Sequence, residues 1–197
     1  MERLTTTIEL ILLLCFLRYT TLQHLFETGS MPLLNILQFP DPRLKLKAET
    51  VTTIDTEIMT LVDNMFETMY EAVGVGLAAT QVNIQKRIIT IDVSEDRRHP
   101  LCLINPEILV RKGSLIWEEG CLSFPGVYAK VNRASEIEIS YLDNNGEQHL
   151  LKADGLLCVC IQHEIDHLDG ITFYDHLSPL KQQLMRKKLE KNRRRAL

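Results

Sequence analysis

The chain has 197 residues, of which 45% are apolar and 24% are charged. This balance is ordinary for a globular protein and excludes a disordered chain, a collagen-like repeat and a polytopic membrane protein. The formal net charge of −4 disfavours binding of nucleic acid by the chain as a whole, because such binding depends on cationic contacts to phosphates. The length predicts one domain or two small ones.

The chain contains five cysteines, which is an odd number. A chain of this length can bury a core without disulfides, so the cysteines do not indicate a disulfide framework. They indicate a reducing compartment, in which thiols are free to pack or to bind metal. We therefore expect a cytoplasmic location.

The first thirty residues contain an apolar run from Leu10 to Leu17. This run is too short to cross a bilayer as a helix, which needs about 20 residues. A secretion signal is disfavoured, because the run has neither a basic start nor a small-x-small cleavage site. We expect residues 1–30 to form an extension outside the fold, and Met31-Pro32 to open the domain.

The first regular element after the extension is a helix. Apolar residues from Asp55 to Val73 recur with helical spacing, which predicts Asp55 as the N-cap and Gly74 as the C′ residue. Strand patterns follow at 87–92, 101–104, 108–111 and 127–131, and as a hairpin turned by Asn144-Asn145-Gly146 between 137–141 and 148–152.

Two more helices complete the chain. One should run from Gly155 to Asp169, capped by Asp154 and ended by Gly170. The other should begin at Ser178-Pro179 and reach about residue 195. Strands grouped between helices, without regular βαβ alternation, predict an α+β fold. We expect mixed or antiparallel sheets around the central helix, together with a C-terminal helix.

The central helix carries the sequence His163-Glu164-Ile165-Asp166-His167, an H-E-x-x-H motif. Residues at positions i and i+4 share one helix face, so both imidazoles can bind one metal ion while Glu164 stays beside it. The alternative is that the histidines are ordinary polar residues of an amphipathic helix.

A catalytic metal site of this kind needs a third protein ligand and an open position for water. The third histidine of the metzincin pattern is absent, because Phe173 stands in its place. Downstream, only Glu190 could serve instead, and it lies inside a basic tail. Upstream, Cys121 follows a glycine, and Cys160 precedes the motif on the same helix face. The residues alone favour Cys121 modestly and leave Cys160 open.

Three segments in a fixed order resemble the peptide deformylase family, whose members remove formyl groups from new polypeptides. The resemblance covers roughly Met31 to the C-terminus and implies that residues 31–197 form the catalytic domain. The segments are Gly74-Val75-Gly76-Leu77-Ala78-Ala79-Thr80-Gln81, Glu119-Gly120-Cys121-Leu122-Ser123 and Gln162-His163-Glu164-Ile165-Asp166-His167.

The resemblance implies a set of metal ligands consisting of Cys121, His163 and His167. It also implies hydrolysis of the N-formyl group of an N-terminal formyl-methionine, with release of formate. Water on the metal would be the nucleophile, and Glu164 would serve as general base and then general acid.

The resemblance also implies how the substrate is held. The Gln81 amide and the backbone N–H of Leu122 would stabilise the oxyanion. From the residues themselves, Gly74-Val75-Gly76 is either a helix C-cap with a tight turn or, as we prefer, a place where the substrate backbone approaches closely and pairs as an added strand. The residues expected to bind substrate and to shape a pocket for a methionine side chain are Val75, Gly76, Gly120, Val159 and Cys160.

The implied cofactor is one divalent metal ion. A Cys-His₂ set suits Zn²⁺, whereas the resemblance implies Fe²⁺, and Ni²⁺ or Co²⁺ would also fit. Two other classes compete: a zinc endopeptidase, and a non-catalytic metal-binding module of the translation apparatus. Tyr128 stands where some family members carry arginine, and Trp117 where some carry a smaller apolar residue. Both departures affect the substrate groove.

The C-terminal segment from Lys181 to Arg195 holds eight basic residues and one acidic residue, Glu190. This density exceeds what a helix dipole needs, and like charges one turn apart repel each other. We expect the segment to bind the ribosome, where formyl-methionyl nascent chains emerge. We expect a monomer with no membrane partner.

Deletion of residues 1–30 should leave folding and activity intact, because the predicted domain begins after them. The check is the unfolding midpoint and the rate of formate release of the shortened chain beside those of the full chain. An insoluble or inactive product would show that the apolar run is part of the core.

Overall fold

The computed structural model describes residues 33–196, and the chain from Leu33 onward forms one compact unit. The predicted extension at 1–30 and the predicted domain start at Met31 lie outside the described residues. Within these residues there are three α-helices, Thr56–Glu71 (α1), Gly155–Leu168 (α2) and Pro179–Ala196 (α3), and seven strands: Gly76–Ala78 (β1), Ile88–Ile91 (β2), Leu101–Lys112 (β3), Leu115–Gly120 (β4), Tyr128–Arg133 (β5), Glu136–Leu142 (β6) and Gln148–Asp154 (β7).

The strands form two antiparallel sheets. One has five strands in the order β1-β2-β3-β6-β7, and the other consists of β4 and β5. Helix α2 contacts the five-stranded sheet and buries Ile161, Ile165 and Leu168 among its apolar side chains. This arrangement confirms the predicted α+β class, with antiparallel sheets around a central helix that carries the H-E-x-x-H sequence.

The strand predictions need two corrections. The patterns at 101–104 and 108–111 belong to one continuous strand, β3, whose pairing with β6 shifts register between Ile104 and Glu107. Strands β1 and β4 have no counterpart in the predictions. Strand β1 has only three residues, which is too short for a recognisable pattern. In β4 the buried position next to the end of the strand is the charged residue Glu119, so the sequence does not show the usual alternation of apolar and polar residues.

Helix α1 begins as predicted and ends one residue earlier. The Asp55 carboxylate accepts a hydrogen bond from the Ile58 N–H at 3.0 Å. At the other end Val73, not Gly74, takes the left-handed conformation, with φ of 56°. The Gly74 N–H then donates to the Met69 carbonyl, which completes a Schellman ending. Gly74 serves a different purpose, because a Cβ there would lie 2.8 Å from a Leu122 methyl group and that side chain would have to move.

Helix α2 occupies the predicted span, and Gly170 follows it with φ of 73°. Asp154 stands at the N-cap position, but its side chain makes no capping hydrogen bond, so this part of the prediction is wrong. Most of the helix is buried, including both histidines and the glutamate of the motif. The helix therefore presents polar side chains inside the protein.

Helix α3 is more than a charged tail. Met185 and Leu189 are buried and pack with Phe39, Phe124 and Tyr174, while the basic side chains of the helix are exposed. Its inner face therefore belongs to the core of the domain. No helix within residues 33–196 is both long and apolar enough to cross a membrane.

Leu189→Ala should lower the free energy of unfolding by about 2–5 kcal/mol, because the substitution leaves a cavity in a packed core. Leu184→Ala is the matched control on the same helix, since Leu184 is 57% exposed, and it should change stability by less than about 0.5 kcal/mol. Denaturant unfolding of the two variants measures both effects. Equal losses would show that the helix does not pack as described.

Candidate metal centre and active site

One cavity of about 590 Å³ brings the predicted site residues together. It lies between the chain after α1, the strand β4 with the loop that follows it, and helix α2. Ten of the eleven predicted site residues line this cavity, and His167 is buried just behind it. The ten are Val75, Gly76, Gln81, Gly120, Cys121, Leu122, Val159, Cys160, His163 and Glu164.

The strongest candidate for a metal centre is formed by Cys121, His163 and His167. One donor atom from each residue lies within 4.8 Å of the other two, and the Cys121 Sγ is 3.2 Å from Nε2 of His167. The structure thus places Cys121, rather than Cys160, beside the two histidines. The Cys160 thiol points instead to the Val75 carbonyl, 3.7 Å away. A thiolate with two imidazoles fits a divalent transition metal such as Zn²⁺.

A buried carboxylate fixes the orientation of His163. The Nδ1 atom of His163 lies 2.8 Å from Oε2 of Glu119, which leaves Nε2 for a metal. This carboxylate–histidine pairing is the usual way to set the tautomer of a metal-binding imidazole. Burial alone would lower the pKa of His163, but hydrogen bonds to Cys121 and Glu119 raise it in the metal-free chain. A bound cation would favour the deprotonated ligand.

Glu119 is in turn held by Arg133, which is only 6% exposed. The guanidinium donates to both carboxylate oxygens of Glu119, at 2.6 and 3.0 Å, and also to Asp166 of helix α2. Burial alone would raise the pKa of Glu119, but the hydrogen bonds from Arg133 and His163 hold it below the usual value. His176 also bonds to Asp166, at 2.7 Å.

Glu164 lies beside the metal candidates, but it is not one of the clustered donors. Burial raises the pKa of Glu164 to about 7, although the nearby charge of His163 lowers it. No described residue hydrogen-bonds to its Oε2 atom. A Cβ at Gly76 would lie 2.6 Å from its Oε1 atom, so only glycine lets the chain pass this close. Glu164 thus has a pKa near neutrality in the metal-free chain and one carboxylate oxygen without a partner among the described residues.

The side chain of Gln81 is held in a fixed orientation within the cavity. Its Oε1 atom accepts the Ala78 N–H at 2.8 Å, so the amide nitrogen is directed to Cys121 and Ser123. Gln81 is 1% exposed, which makes the amide a rigid donor. The backbone of Leu122 follows Cys121 directly and lines the same cavity.

The roles of Glu119, Arg133 and Ser123 were missed by the sequence analysis. A signal exists for Arg133, which is a charged residue on the face of β5 that also carries the buried Val131. Glu119 gives no such signal, because it shares its face of β4 with Trp117, which is 37% exposed. The two residues do not stand directly opposite each other, because Glu119 pairs with Ala129 and Arg133 with Leu115. The strand register that brings them near each other cannot be read from the sequence without the turn geometry.

An H-E-x-x-H helix with a cysteine beside it, in an α+β domain, defines the class of metallohydrolases. The comparisons identify the family. The polypeptide deformylase family model matches residues 33–183. A peptide deformylase of Xylella fastidiosa (strain M12) is 55% identical over 169 residues, which cover 84% of this chain and 99% of the relative.

Solved structures agree with this match. The crystal structure of a peptide deformylase from Legionella pneumophila has a TM-score of 0.81 and 44% identity, and covers 83% of this chain and 96% of its own. The crystal structure of a peptide deformylase from Ehrlichia chaffeensis in complex with actinonin has a TM-score of 0.78 and 42% identity, and it covers 82% of this chain and 98% of its own. The chain belongs to the polypeptide deformylase family and is an enzyme.

Proposed function

We propose that this enzyme hydrolyses the N-formyl group of the formyl-methionine at the start of new polypeptides and releases formate. The observation that carries the proposal is the convergence of three groups in one buried cavity. These are the Cys121, His163 and His167 donor set, the Glu164 carboxylate and the Gln81 amide. A formyl group is small enough to reach all three together.

Cys121, His163 and His167 would hold one divalent metal ion. When bound, such an ion polarises a carbonyl oxygen and lowers the pKa of water toward neutrality. The soft thiolate and the two imidazoles suit Fe²⁺, Zn²⁺, Ni²⁺ and Co²⁺. Among these we propose Fe²⁺ as the native ion, on the basis of the family resemblance.

Glu164 is the proposed general base and general acid. With a pKa of about 7, the carboxylate can take a proton from the attacking water and then donate it to the departing nitrogen. Its burial and the free Oε2 atom support this role. The departing amine leaves with its proton, and formate is the second product.

Gln81 and Leu122 supply the proposed oxyanion contacts. The formyl oxygen gains negative charge as water attacks, and two N–H donors held in place stabilise it without rearrangement. The Gln81 amide is held by the Ala78 N–H and by Ser123. The Leu122 N–H is placed by its neighbour Cys121, which the metal would fix.

The substrate backbone would enter as an extended strand. Strand β1 lies at the edge of the five-stranded sheet, and the adjoining residues 73–76 line the cavity. Main-chain pairing along such an edge accepts any sequence. The first side chain would enter a pocket whose walls include Val75, Gly76, Gly120, Val159 and Cys160.

A zinc endopeptidase is the competing activity. It is disfavoured because Phe173, at the position of the metzincin ligand, is fully buried and its ring stacks near His163 at 6.0 Å. The test compares formate release from a formyl-Met peptide with cleavage of an internally blocked peptide. Release of formate, with no cleavage of the blocked peptide, supports the proposal. Cleavage of the blocked peptide alone would establish the endopeptidase.

Glu164→Gln should bind metal normally and lose nearly all formate release, because the amide cannot carry the proton but the three ligands remain. Metal content by mass spectrometry and turnover are measured on the same sample. Loss of metal in this variant would show that Glu164 acts structurally instead.

Cys121→Ser should weaken or exchange the bound metal, because a hydroxyl is a poor substitute for thiolate. Cys160→Ser is the matched control and should keep the metal, since the Cys160 thiol points to the Val75 carbonyl. Metal analysis after anaerobic purification also identifies the native ion. The opposite result for the two variants would overturn the assignment of the ligands.

We further propose a cytoplasmic monomer that docks on the ribosome through the exposed face of α3. The exposed basic residues include Lys187, Lys188 and Lys191. Reversing these three charges to Glu should reduce salt-sensitive co-sedimentation with ribosomes, because each lost phosphate contact lowers affinity.

The control for this experiment reverses three exposed cations elsewhere, Arg111, Lys112 and Lys152. The α3 variant is preferable to a truncation after Leu180, because truncation would also remove the buried Met185 and Leu189. Equal co-sedimentation of both triple variants with the unaltered chain would contradict docking through α3.

A further inference from the structure

A buried carboxylate at the end of β2 takes no part in the proposed chemistry. Asp92 is only 2% exposed and follows directly after β2. One of its oxygens accepts a hydrogen bond from the Tyr70 hydroxyl at 2.8 Å, and the other accepts the N–H and the hydroxyl of Ser94 at 3.0 and 2.6 Å. A buried polar group with this many partners is rigid. Asp92 therefore joins the last turn of α1 to the chain after β2.

Arg97 makes a second connection between the same two segments. Its guanidinium donates to the Tyr70 carbonyl at 3.1 Å and lies over the Tyr70 ring, 5.8 Å from the centroid. The Asp92 N–H donates to the Val75 carbonyl at 2.9 Å, which continues the pairing of β1 with β2 by one residue. We call Tyr70, Asp92 and Arg97 the clamp. Residues 72–74, which line the active-site cavity, are thus held at both ends, at Tyr70 and at Val75.

Val73, within this segment, has a backbone conformation that its side chain disfavours. Its φ is 56°, and a β-branched residue rarely adopts the left-handed region, because its side chain crowds the backbone there. The side chain is 74% exposed, so its packing contributes little to holding this conformation. Hydrogen bonds hold it instead. The Tyr70 carbonyl accepts the Val73 N–H at 3.0 Å and also accepts the Arg97 guanidinium.

This strained residue lies next to the sheet edge at which the substrate backbone is proposed to pair. The Val75 carbonyl points to β2, since it accepts the Asp92 N–H. Neighbouring residues of a strand direct their N–H and C=O groups to opposite sides, so those of Gly76 point to the open edge. A change in the backbone of Val73 would therefore turn this edge and weaken its pairing with a substrate.

We propose that the clamp holds Val73 in its left-handed conformation and thereby fixes the edge that pairs with the substrate backbone. The inference rests on the proposed function. The three members of the clamp do not line the cavity, so they are positioning residues that act through the backbone of residues 73–76. The clamp should govern the binding of substrates long enough to pair with this edge, and not the chemistry at the formyl group.

The experiment measures KM and kcat of Tyr70→Phe, which removes the hydroxyl bonded to Asp92 and keeps the ring beside Arg97. Two substrates are compared: formyl-Met-Ala-Ser-Ser, and formyl-methionine amide, which is too short to pair beyond its first residue. KM for the tetrapeptide should rise by about 2- to 10-fold, the range that one hydrogen bond accounts for. The change should appear in KM rather than in kcat, and it should be absent for formyl-methionine amide. Arg97→Ala, on the exposed side of the clamp, should act in the same direction.

Val73→Asn tests whether the clamp acts through the strained residue. Asparagine enters the left-handed region more readily than valine, so a chain with this substitution depends less on the clamp. The double variant Tyr70→Phe/Val73→Asn is compared with Val73→Asn alone. In this comparison the rise in KM for the tetrapeptide should shrink to less than about 2-fold, because the two positions are coupled.

Leu189→Ala is the control for a general loss of stability, because Leu189 is buried in a different cluster of the core. Its KM for both substrates should equal that of the unaltered enzyme. The inference would be overturned by an unchanged KM for the tetrapeptide in Tyr70→Phe, by an equal rise for both substrates, or by an equal rise with and without Val73→Asn. Absence of formate release by the unaltered enzyme would instead count against deformylation itself.

Discussion

Arg133 and Glu119 form a buried ion pair at the point where the β4–β5 hairpin meets helix α2. Both side chains are at most 6% exposed. Burying an ion pair costs free energy unless the other hydrogen-bond donors and acceptors of the two groups also have partners. Here further partners are present, because Glu119 also bonds to His163 and Arg133 also donates to Asp166. The pair therefore ties the hairpin to two positions on one helix.

The active site depends on this connection. Cys121 comes directly after β4, whereas both histidines of the candidate metal centre lie on α2, so a shift of the hairpin would separate the thiol from the imidazoles. Two close packing contacts lie in the same region. The backbone at Gly76 lies against the Glu164 side chain, and the backbone at Gly74 lies against the Leu122 side chain. The cavity thus joins elements that are far apart in the sequence, and the buried charges hold those elements at a fixed distance.

Much of this arrangement could be predicted from the sequence, and the rest could not for identifiable reasons. The spacing of His163 and His167 reveals a shared helix face, and Asp55 and Gly170 mark helix ends. The choice between Cys121 and Cys160 could not be made from the residues alone, because it depends on where β4 ends in space. The buried face of α3 could not be predicted, because basic residues dominate the sequence of the helix, although Leu189 lies in the core.

Glu119 is expected to prepare His163 for metal binding, and the affinity of the purified protein for Zn²⁺ tests this most directly. Glu119→Gln removes the carboxylate that holds the imidazole, and the affinity should fall by about 10- to 100-fold. Glu118→Gln is the matched control, since Glu118 is the exposed neighbour on the other strand face, and its affinity should be unchanged. Equal Zn²⁺ affinities for the two variants and the unaltered chain would contradict the account.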